Sequence, residues 1–303
     1  MRDTAEARAW TLDAVAAALA LPHVRLRVLG TATAPRAFAL QGLVREGWHG
    51  RSYVSALGDA DPDDAEAVAW LGRALAELAL HRSGEYLLDL DVAYRAALPA
   101  LASVGVGVDS VVLVGEPREA LERLVAHRDP PPDLRHLGLQ LGRLRRPHLG
   151  AAVALRRRVF AAEPQWAWFG AWPEHLARIE AAWAEACEDR ASLLYAIHAG
   201  DQLVGVCHAS IQEDTPWWGR KAGMDLVFDP SIQGRGVIWT VYRVLLERLT
   251  RRGVAAFVGG TAQPAVMRLA ALMGRWPRSL NLRSQPSLPL AHFQSHLPGI
   301  LAG

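Results

Sequence analysis

The sequence is poor in the residues that make covalent cross-links and tetrahedral metal sites. Its 303 residues include two cysteines, Cys187 and Cys207, and neither a CxxC pair nor an HExxH motif. We therefore expect no disulfide framework and no metal centre. Such sparing use of cysteine is typical of proteins of the reducing cytoplasm, which is where we expect this chain to act.

Long apolar runs are absent as well. No stretch of about eighteen apolar residues is free of charge, so no membrane-spanning helix is predicted. Residues 1–4 lead into an amphipathic run with acidic residues, not into the apolar core of a signal peptide. Lysine occurs once, at Lys221, and the basic residues are not interleaved with aromatics in a recognised nucleic-acid-binding module. We expect neither a membrane nor nucleic acid as a partner.

The composition is that of a folded protein with an uneven distribution of charge. Hydrophobic residues make up 51% and charged residues 21%, and this length suggests about two domains. Residues 1–133 hold 13 Arg and 19 Asp or Glu, a net charge of −6, while residues 134–303 hold 20 Lys or Arg and 12 Asp or Glu, a net charge of +8. Either this is scatter between two solvated surfaces, or the second half binds an anion.

Matched spacings indicate an internal repeat. In each half an Asp-Pro pair precedes a helical pattern that carries a tryptophan, a first glycine follows 14 residues after it, and a second glycine 21 residues later. The two sets are Trp70, Gly84 and Gly105, and Trp239, Gly253 and Gly274, with an offset of 169. Each glycine taken alone is typical of a helix C-cap in the left-handed conformation.

Hydrophobic periodicity predicts alternating strands and helices, and hence an α/β fold with a mixed sheet. Helices are predicted at 4–20, 65–81, 149–160, 174–186 and 239–251, and a further helix is predicted to end at Gly105 and another at Gly274. Strands are predicted at 23–29, 37–44, 52–57, 86–92, 110–114, 137–144, 192–199, 202–211, 223–228, 254–258 and 279–282. The Pro-rich residues 129–133 are the natural linker, which divides the chain into domains 1–128 and 134–303.

One loop has the chemistry of an anion site. Residues 229–238 read D-P-S-I-Q-G-R-G-V-I, between a predicted strand and a predicted helix. The free N–H groups of a first helical turn and the helix dipole favour an anion, and glycine lets a phosphate approach the backbone. The loop lacks the lysine of a Walker motif and is not GxGxxG. The alternative is that its glycines merely ease a turn.

The second half, over roughly residues 134–285, resembles the GNAT superfamily of acyl-CoA-dependent N-acyltransferases. The sequence Q-G-R-G-V-I resembles the pyrophosphate loop of that superfamily, [Q/R]-x-x-G-x-[G/A], with Gln233 at the first position, Gly236 at the fourth and Ile238 at the sixth. The order of elements is also similar. The first half resembles a degenerate copy, so the resemblance implies two tandem GNAT-like domains, an arrangement similar to that of mycothiol synthase-type acetyltransferases.

The resemblance implies acetyl-CoA as co-substrate and assigns residues to its binding. The backbone N–H groups of Gln233, Gly234, Arg235, Gly236, Val237 and Ile238 would bind the pyrophosphate. Leu226, Val227 and Phe228 would pair with the pantetheine amides, and the gap between that strand and the next would hold the thioester. In the first half, the corresponding turn carries the acidic sequence D-P-D-D-A-E at 61–66, which repels a polyanion. We predict that the first half binds no CoA and serves as a structural partner.

The chain departs from the family pattern at three positions. Ile238 stands where the family has Gly or Ala. In the last helix of the fold, Gln263 and Ala270 stand where the family often has an Asn and a Tyr that protonates the departing thiolate. We include Gln263 among the CoA-binding candidates, and we note that the usual general acid is missing.

Acetyl transfer to an amine requires a base that removes the proton of the amine. Asp225, on the strand before the loop, is the first candidate and Glu213, after the neighbouring strand, is the second. Each has an alternative without a catalytic role: Asp225 as a solvated strand residue, and Glu213 as part of a polar hairpin tip. Asp229 is expected instead to fix the turn before Pro230.

An aromatic segment is the candidate for the acceptor pocket. Four large aromatics fall within seven residues, which is unusual for an exposed connector, and Trp217 and Trp218 could join them. The predicted pocket residues are Trp166, Trp168, Phe169, Trp172 and Trp217. The alternative is that these rings pack between the two domains.

The sequence therefore predicts an N-acetyltransferase that moves an acetyl group from acetyl-CoA to a primary amine, by direct attack in a ternary complex. The acceptor is expected to be a small molecule, and the protein a monomer or homodimer. Two alternatives stay open: a non-catalytic sensor or structural protein that binds CoA or acyl-CoA, and a scaffold whose loop binds nothing.

Overall fold

The computed structural model of the protein describes residues 24–31, 34–44, 49–80, 85–164, 166–189, 192–215, 219–284, 286 and 288–296. The predicted helix at 4–20 and the candidate pocket residue Trp217 lie outside these residues. The described chain alternates strands and helices, as the periodicity predicts.

The described part of the first half contributes five strands and three helices. Its strands are β1 (Arg25–Thr31), β2 (Ala34–Val44), β3 (Tyr53–Ala60), β4 (Tyr86–Asp91) and β5 (Val106–Gly115). Its helices are α1 (Ala65–Leu80), α2 (Leu98–Ala102), which follows a 3-10 turn, and α3 (Pro117–His127). Helix α3, which the sequence analysis did not predict, begins with proline at its first position, where the missing N–H costs nothing.

The second half contributes six strands and six helices within its described residues. Its strands are β6 (Leu139–Arg143), β7 (Leu193–Ala199), β8 (Gln202–Thr215), β9 (Gly219–Phe228), β10 (Ala256–Thr261) and β11 (Trp276–Ser284). Its helices are α4 (Leu149–Ala162), α5 (Ala167–Gly170), α6 (Pro173–Glu188), α7 (Val237–Arg251), α8 (Pro264–Leu272) and α9 (Leu290–His296). Helix α7 buries Val237, Val241, Tyr242, Leu245, Leu246 and Leu249, the three- and four-residue steps of an amphipathic helix.

All eleven strands form one mixed sheet, in the order β1-β2-β3-β4-β11-β5-β10-β9-β8-β7-β6. The two halves exchange their last strands. Strand β5 pairs with β10 of the second half, β11 pairs with β4 of the first half, and β5 and β11 lie antiparallel to each other at the centre. Residues of the first half therefore lie directly beside the strands of the second.

Each half contains one parallel pair of strands, and the equivalent elements follow in the same order. Strand β3 is parallel to β4, with a helix between them, and β9 is parallel to β10, again with a helix between them. Gly105, Gly253 and Gly274 have φ values of +76°, +64° and +69°. These three are left-handed glycines after helices, as their spacing predicts.

The cores also cross the boundary between the halves. The core around α1 includes Met267 and Ala270 of α8 and Leu280 of β11, and the core around α7 includes Ala120 and Leu124 of α3. Helix α8 of the second half thus packs into the core of the first half, and helix α3 of the first half packs into the core of the second. The two halves form one sheet with common cores.

Candidate functional site

Hydrogen bonds of Asp229 fix the turn that begins the loop between β9 and α7. The Asp229 carboxylate accepts from the N–H of Ser231 at 3.0 Å and pairs with Nη2 of Arg158 at 2.6 Å. The Ser231 backbone bond, followed by its side chain and Arg158, keeps the pKa of Asp229 below its usual range. The prediction that Asp229 fixes this turn is confirmed. Gln233 also stabilises the loop, because its Nε2 donates to the carbonyl of Phe228 at 3.1 Å.

Two glycines shape the loop where the helix begins. Gly234 has φ +74° and Gly236, the N-cap of α7, has φ +78°, a region that favours glycine. A Cβ on Gly234 would meet nothing within 4 Å, so the space above it is open. The N–H of Trp239 donates to the carbonyl of Gly236 at 3.1 Å, so the N–H groups of Val237 and Ile238 before it are the ones that a helix start leaves for an anion.

Strands β9 and β10 separate beside this loop. They pair at three positions, of which the last is Val258 with Gly223. Beyond that point β9 continues through Phe228 and β10 continues through Gly259 and Gly260 without mutual hydrogen bonds. The two strands thus leave a wedge between them, in the position where the resemblance implies a thioester.

A cavity of about 670 Å³ joins the loop, the wedge and the face of α8. Nine of the ten predicted CoA-binding residues line it: Leu226, Phe228, Gln233, Gly234, Arg235, Gly236, Val237, Ile238 and Gln263. The tenth, Val227, points to the opposite face of the sheet and is fully buried in the core beneath α4. Side chains alternate along a strand, so Val227 lies on the same face of β9 as Asp225, towards α4, whereas Leu226 and Phe228 lie on the other face. The cavity is lined from both faces, and Val227 is covered by the core on its side.

Asp225 lies in the same cavity, beside a buried cation. Its side chain is 31% exposed, and its Oδ2 lies 3.4 Å from Nη1 of Arg156, a side chain of α4 that is 6% exposed. The Arg156 guanidinium also stacks 3.7 Å from the Phe160 ring centre. Burial lowers the pKa of Arg156, and Asp225 opposes that shift by supplying a negative charge.

Glu213, the second candidate base, lies elsewhere. It is exposed near the far end of β8, and its Oε2 accepts from Nε of Arg220 at 2.6 Å. It does not line the cavity that holds Asp225. The hairpin of β8 and β9 extends several residues beyond the wedge, which carries Glu213 away from it.

The aromatic segment divides between the cavity and the contact of the two halves. Trp166 borders the cavity and stacks on Phe160 with ring centres 5.7 Å apart. Trp168 and Trp172 instead pack edge-on against His49 of the first half, at 5.5 and 5.3 Å. Phe169 is buried among the rings of this segment. Of the four described pocket candidates, only Trp166 lies in this cavity.

Several lining residues escaped the sequence analysis, Tyr242, Arg275 and Arg128 among them. Tyr242 and Arg275 meet on the cavity floor, where Nη1 of Arg275 donates to the Tyr242 hydroxyl at 3.4 Å and Nη2 donates to the carbonyl of Leu113 at 2.7 Å. Arg128, just after α3 in the first half, lines the mouth near Gly236. Tyr242 lies on the buried face of the predicted helix, a signal that could have found it. Arg128 carried no such signal.

Neither a membrane helix nor a metal cluster is found in the described part of the chain. No described helix combines the length and apolar character needed to cross a bilayer. Across residues 24–296, gaps excluded, no group of three or more His, Cys, Asp or Glu side chains is placed to hold a metal ion.

The chain was compared with protein families and known proteins. The model of the acetyltransferase (GNAT) family matches residues 158–274, which is less than half of the chain. None of the curated proteins matches the sequence.

Solved structures share the fold at low sequence identity. A GCN5-related N-acetyltransferase from Sphaerobacter thermophilus is 15% identical, with a TM-score of 0.51 over 85% of this chain and 79% of that one. An acetyltransferase of the GNAT family from Colwellia psychrerythraea is 12% identical, with a TM-score of 0.51 over 93% of this chain and 97% of that one. A tandem GNAT protein from the clavulanic acid biosynthesis pathway is 14% identical, with a TM-score of 0.48 over 89% of this chain and 85% of that one.

The matched segment runs from α4 through α8 and so includes the loop, the wedge and the cavity-lining part of β9. The mixed α/β fold with its mixed sheet is that of GNAT-like structures. Residues 158–274 of this chain are therefore similar to the acetyltransferase (GNAT) family, and the fold is shared with solved GNAT structures.

Proposed function

We propose that the protein transfers an acetyl group from acetyl-CoA to the primary amine of a small molecule, by direct attack in a ternary complex. One observation carries the proposal: a single cavity joins a glycine loop at a helix start, a wedge between two parallel strands and the carboxylate of Asp225. The loop suits a pyrophosphate, since Gly234 leaves the backbone open to a close anion and Gly236 begins the helix in a left-handed conformation.

The reaction divides between the two partners and the chain. The thioester supplies an activated acetyl group. The acceptor nitrogen forms a bond to the acetyl carbon, the bond from that carbon to sulfur breaks, the nitrogen loses a proton and the sulfur gains one. We assign removal of the proton from the nitrogen to Asp225, directly or through water, because it is the predicted base that faces the cavity.

Return of a proton to the sulfur requires a donor. Ala270, which stands where the resemblance implies a tyrosine, is buried in the core, and its methyl side chain has no proton to donate. Among the described residues that line the cavity, Tyr242 alone is a tyrosine, and its hydroxyl meets the guanidinium of Arg275. We assign this proton transfer to Tyr242. A phenol is suited to the step because its hydroxyl can donate a proton.

We also propose that residues 1–128 are a degenerate copy of the same domain, residues 129–133 a linker, and residues 134–303 the CoA-binding domain. The acidic turn before α1 supports this division, because its carboxylates already serve the fold. Asp64 caps α1 by accepting from the N–H of Ala67 at 3.0 Å, and Arg36 pairs with both Asp64 and Glu66. A phosphate would meet negative charge there instead of free N–H groups.

A non-catalytic CoA-binding protein is the second candidate. The observation that favours it is that the position where the resemblance implies a tyrosine holds Ala270, which is buried in the core. The two candidates differ in turnover and not in binding.

The test is a calorimetric titration with acetyl-CoA, followed by an amine screen for release of free thiol. We expect one site per chain with micromolar affinity, and thiol release that depends on the amine. Gly236→Glu should abolish binding, because it places a charge and a side chain at a left-handed position against the phosphate site.

The matched control is Gly150→Glu, an exposed position near the start of α4 where a Cβ meets nothing within 4 Å. It should bind acetyl-CoA as the unaltered protein does. Binding without turnover across the screen would favour the second candidate. Absence of binding by folded, unaltered protein would reject both.

A further inference from the structure

Arg128 is a free cation beside the helix start that is proposed to hold a phosphate. A Cβ on Gly236 would lie 3.4 Å from Nη1 of Arg128, so the guanidinium lies within one side-chain length of the first turn of α7. The residue follows α3 of the first half and is exposed at the cavity mouth. Among the described residues, no carboxylate or carbonyl engages its side chain.

Three other arginines near the loop are already occupied. Arg235 donates to the carbonyl of Leu137 at 2.9 Å, and Arg158 is paired with Asp229. Arg243 pairs with Asp129 at 2.5 Å and with Glu247 at 3.2 Å. Arg128 thus offers its charge to a ligand without breaking a contact of the protein.

The position of Arg128 is held by the segment on either side of it. His127 stacks on Trp239 of α7 with ring centres 5.2 Å apart, and Asp129 pairs with Arg243 of the same helix. The carbonyl of Pro132 accepts from Oγ1 of Thr240 at 2.7 Å. Three contacts to α7 therefore fix the backbone around Arg128, which reduces the entropy lost when the side chain binds an anion.

Resting on the proposed function, we infer that Arg128 is a ligand of the CoA pyrophosphate, contributed by the first half to the site of the second. A planar guanidinium forms two parallel bonds to phosphate oxygens, and the N–H groups of α7 would bind the other side of the same anion. The first half then does more than support the fold. Its acidic turn binds no phosphate, yet the end of α3 completes the phosphate site of its neighbour.

The experiment compares Arg128→Gln with Arg118→Gln in the full chain, by titration with acetyl-CoA and with its 3′-dephospho form. Arg118 lies on the same helix, is exposed, and pairs with Glu122 one turn away. We expect Arg128→Gln to raise the Kd about tenfold for both ligands, the loss of one charged hydrogen-bonding group. Arg118→Gln should stay within about twofold of the unaltered protein.

One further variant and the pattern of losses separate the outcomes. Arg128→Lys should recover part of the affinity, because it keeps the charge and loses the planar fork. Equal affinity of Arg128→Gln and the unaltered protein would overturn the inference while leaving the proposed function intact. A loss confined to the ligand with a 3′-phosphate would also overturn it, since the contact would then be to that phosphate. Failure of the unaltered protein to bind would reject the proposed function instead.

Discussion

Asp225 has a partner that its sequence position does not reveal. Arg156 comes from α4, 69 residues earlier, and brings a buried positive charge to the carboxylate. Removing the charge of Asp225 would leave that guanidinium unpaired, at a cost on the order of 2 kcal/mol, below the figure for a fully buried pair because Asp225 is partly exposed. The residue therefore has a structural role as well as the proposed chemical one.

Asp225→Asn should lower kcat about a hundredfold, the usual contribution of a general base, while the Kd for acetyl-CoA changes less than twofold. It should also lower the midpoint of thermal unfolding, because the buried charge of Arg156 loses its partner. Steady-state kinetics with an amine from the screen and calorimetric titration check the two parts separately.

Glu213→Gln is the matched control, since it removes a carboxylate from the neighbouring strand outside the cavity. Its rate should equal that of the unaltered protein. A slow Glu213→Gln enzyme together with an active Asp225→Asn enzyme would reverse the assignment of the base.

At the scale of elements, the hairpin of β8 and β9 places His208 directly opposite Asp225. Burial lowers the pKa of His208, Asp225 opposes the shift and Arg156 adds to it. Burial also lowers the pKa of His49, where Arg51 and Arg178 act in the same direction, and of His198. These three histidines favour their neutral form in the folded protein.

This arrangement predicts a loss of stability in mild acid. The folded pKa of each histidine is below its unfolded value of about 6.5, so the unfolded chain binds more protons as the pH falls through that value. The free energy of unfolding should be flat above about pH 7 and decline toward pH 5. Denaturant unfolding at a series of pH values measures it.

His208→Gln should make the decline shallower, because it removes one of the three groups. The carboxylates whose pKa values are lowered, Asp64 and Asp229 among them, contribute in a separate window below about pH 4. A stability profile that stays flat down to pH 5 would contradict the contribution of the histidines.

At the scale of the whole molecule, the exchange of strands decides how the two halves depend on each other. Strand β5 lies between β10 and β11 and pairs with both. Without β5, strand β10 becomes an exposed edge of the sheet, and Phe257 loses its partner Gly115. Without β11, the same happens to β4. A strand edge without a partner is prone to aggregate, and here each half would also lose the core residues that the other half supplies.

A fragment of residues 134–303 alone should therefore fail to unfold cooperatively and should aggregate, even though it holds the segment that matches the GNAT family. Co-expression with residues 1–133 should restore a soluble complex, because both exchanged strands regain their partners. Circular dichroism melts and size-exclusion chromatography check this. A stable, cooperatively folding 134–303 fragment that binds acetyl-CoA would show that the exchange is dispensable.

Much of the local structure followed from the sequence, since local periodicity determines it. The predicted helices at 65–81 and 239–251 compare with Ala65–Leu80 and Val237–Arg251, and most strand predictions overlap an observed strand. The glycine loop was placed correctly between a strand and a helix start, because the periodicity on either side of it predicts both elements. Helix α3 was missed, since its apolar positions are few and it lies close to the prolines of the linker.

The sequence by itself determined the α/β class, the glycine loop and Asp225 as a candidate, because each depends on a short run of residues. Only the tertiary structure decided which neighbours those residues meet. It paired Asp225 with Arg156, took Glu213 away from the cavity, and divided the tryptophans between the cavity and the contact of the halves. It also brought Arg128 to Gly236 across the exchanged strands, since contacts between residues far apart in the chain depend on the sheet order, which no local pattern encodes.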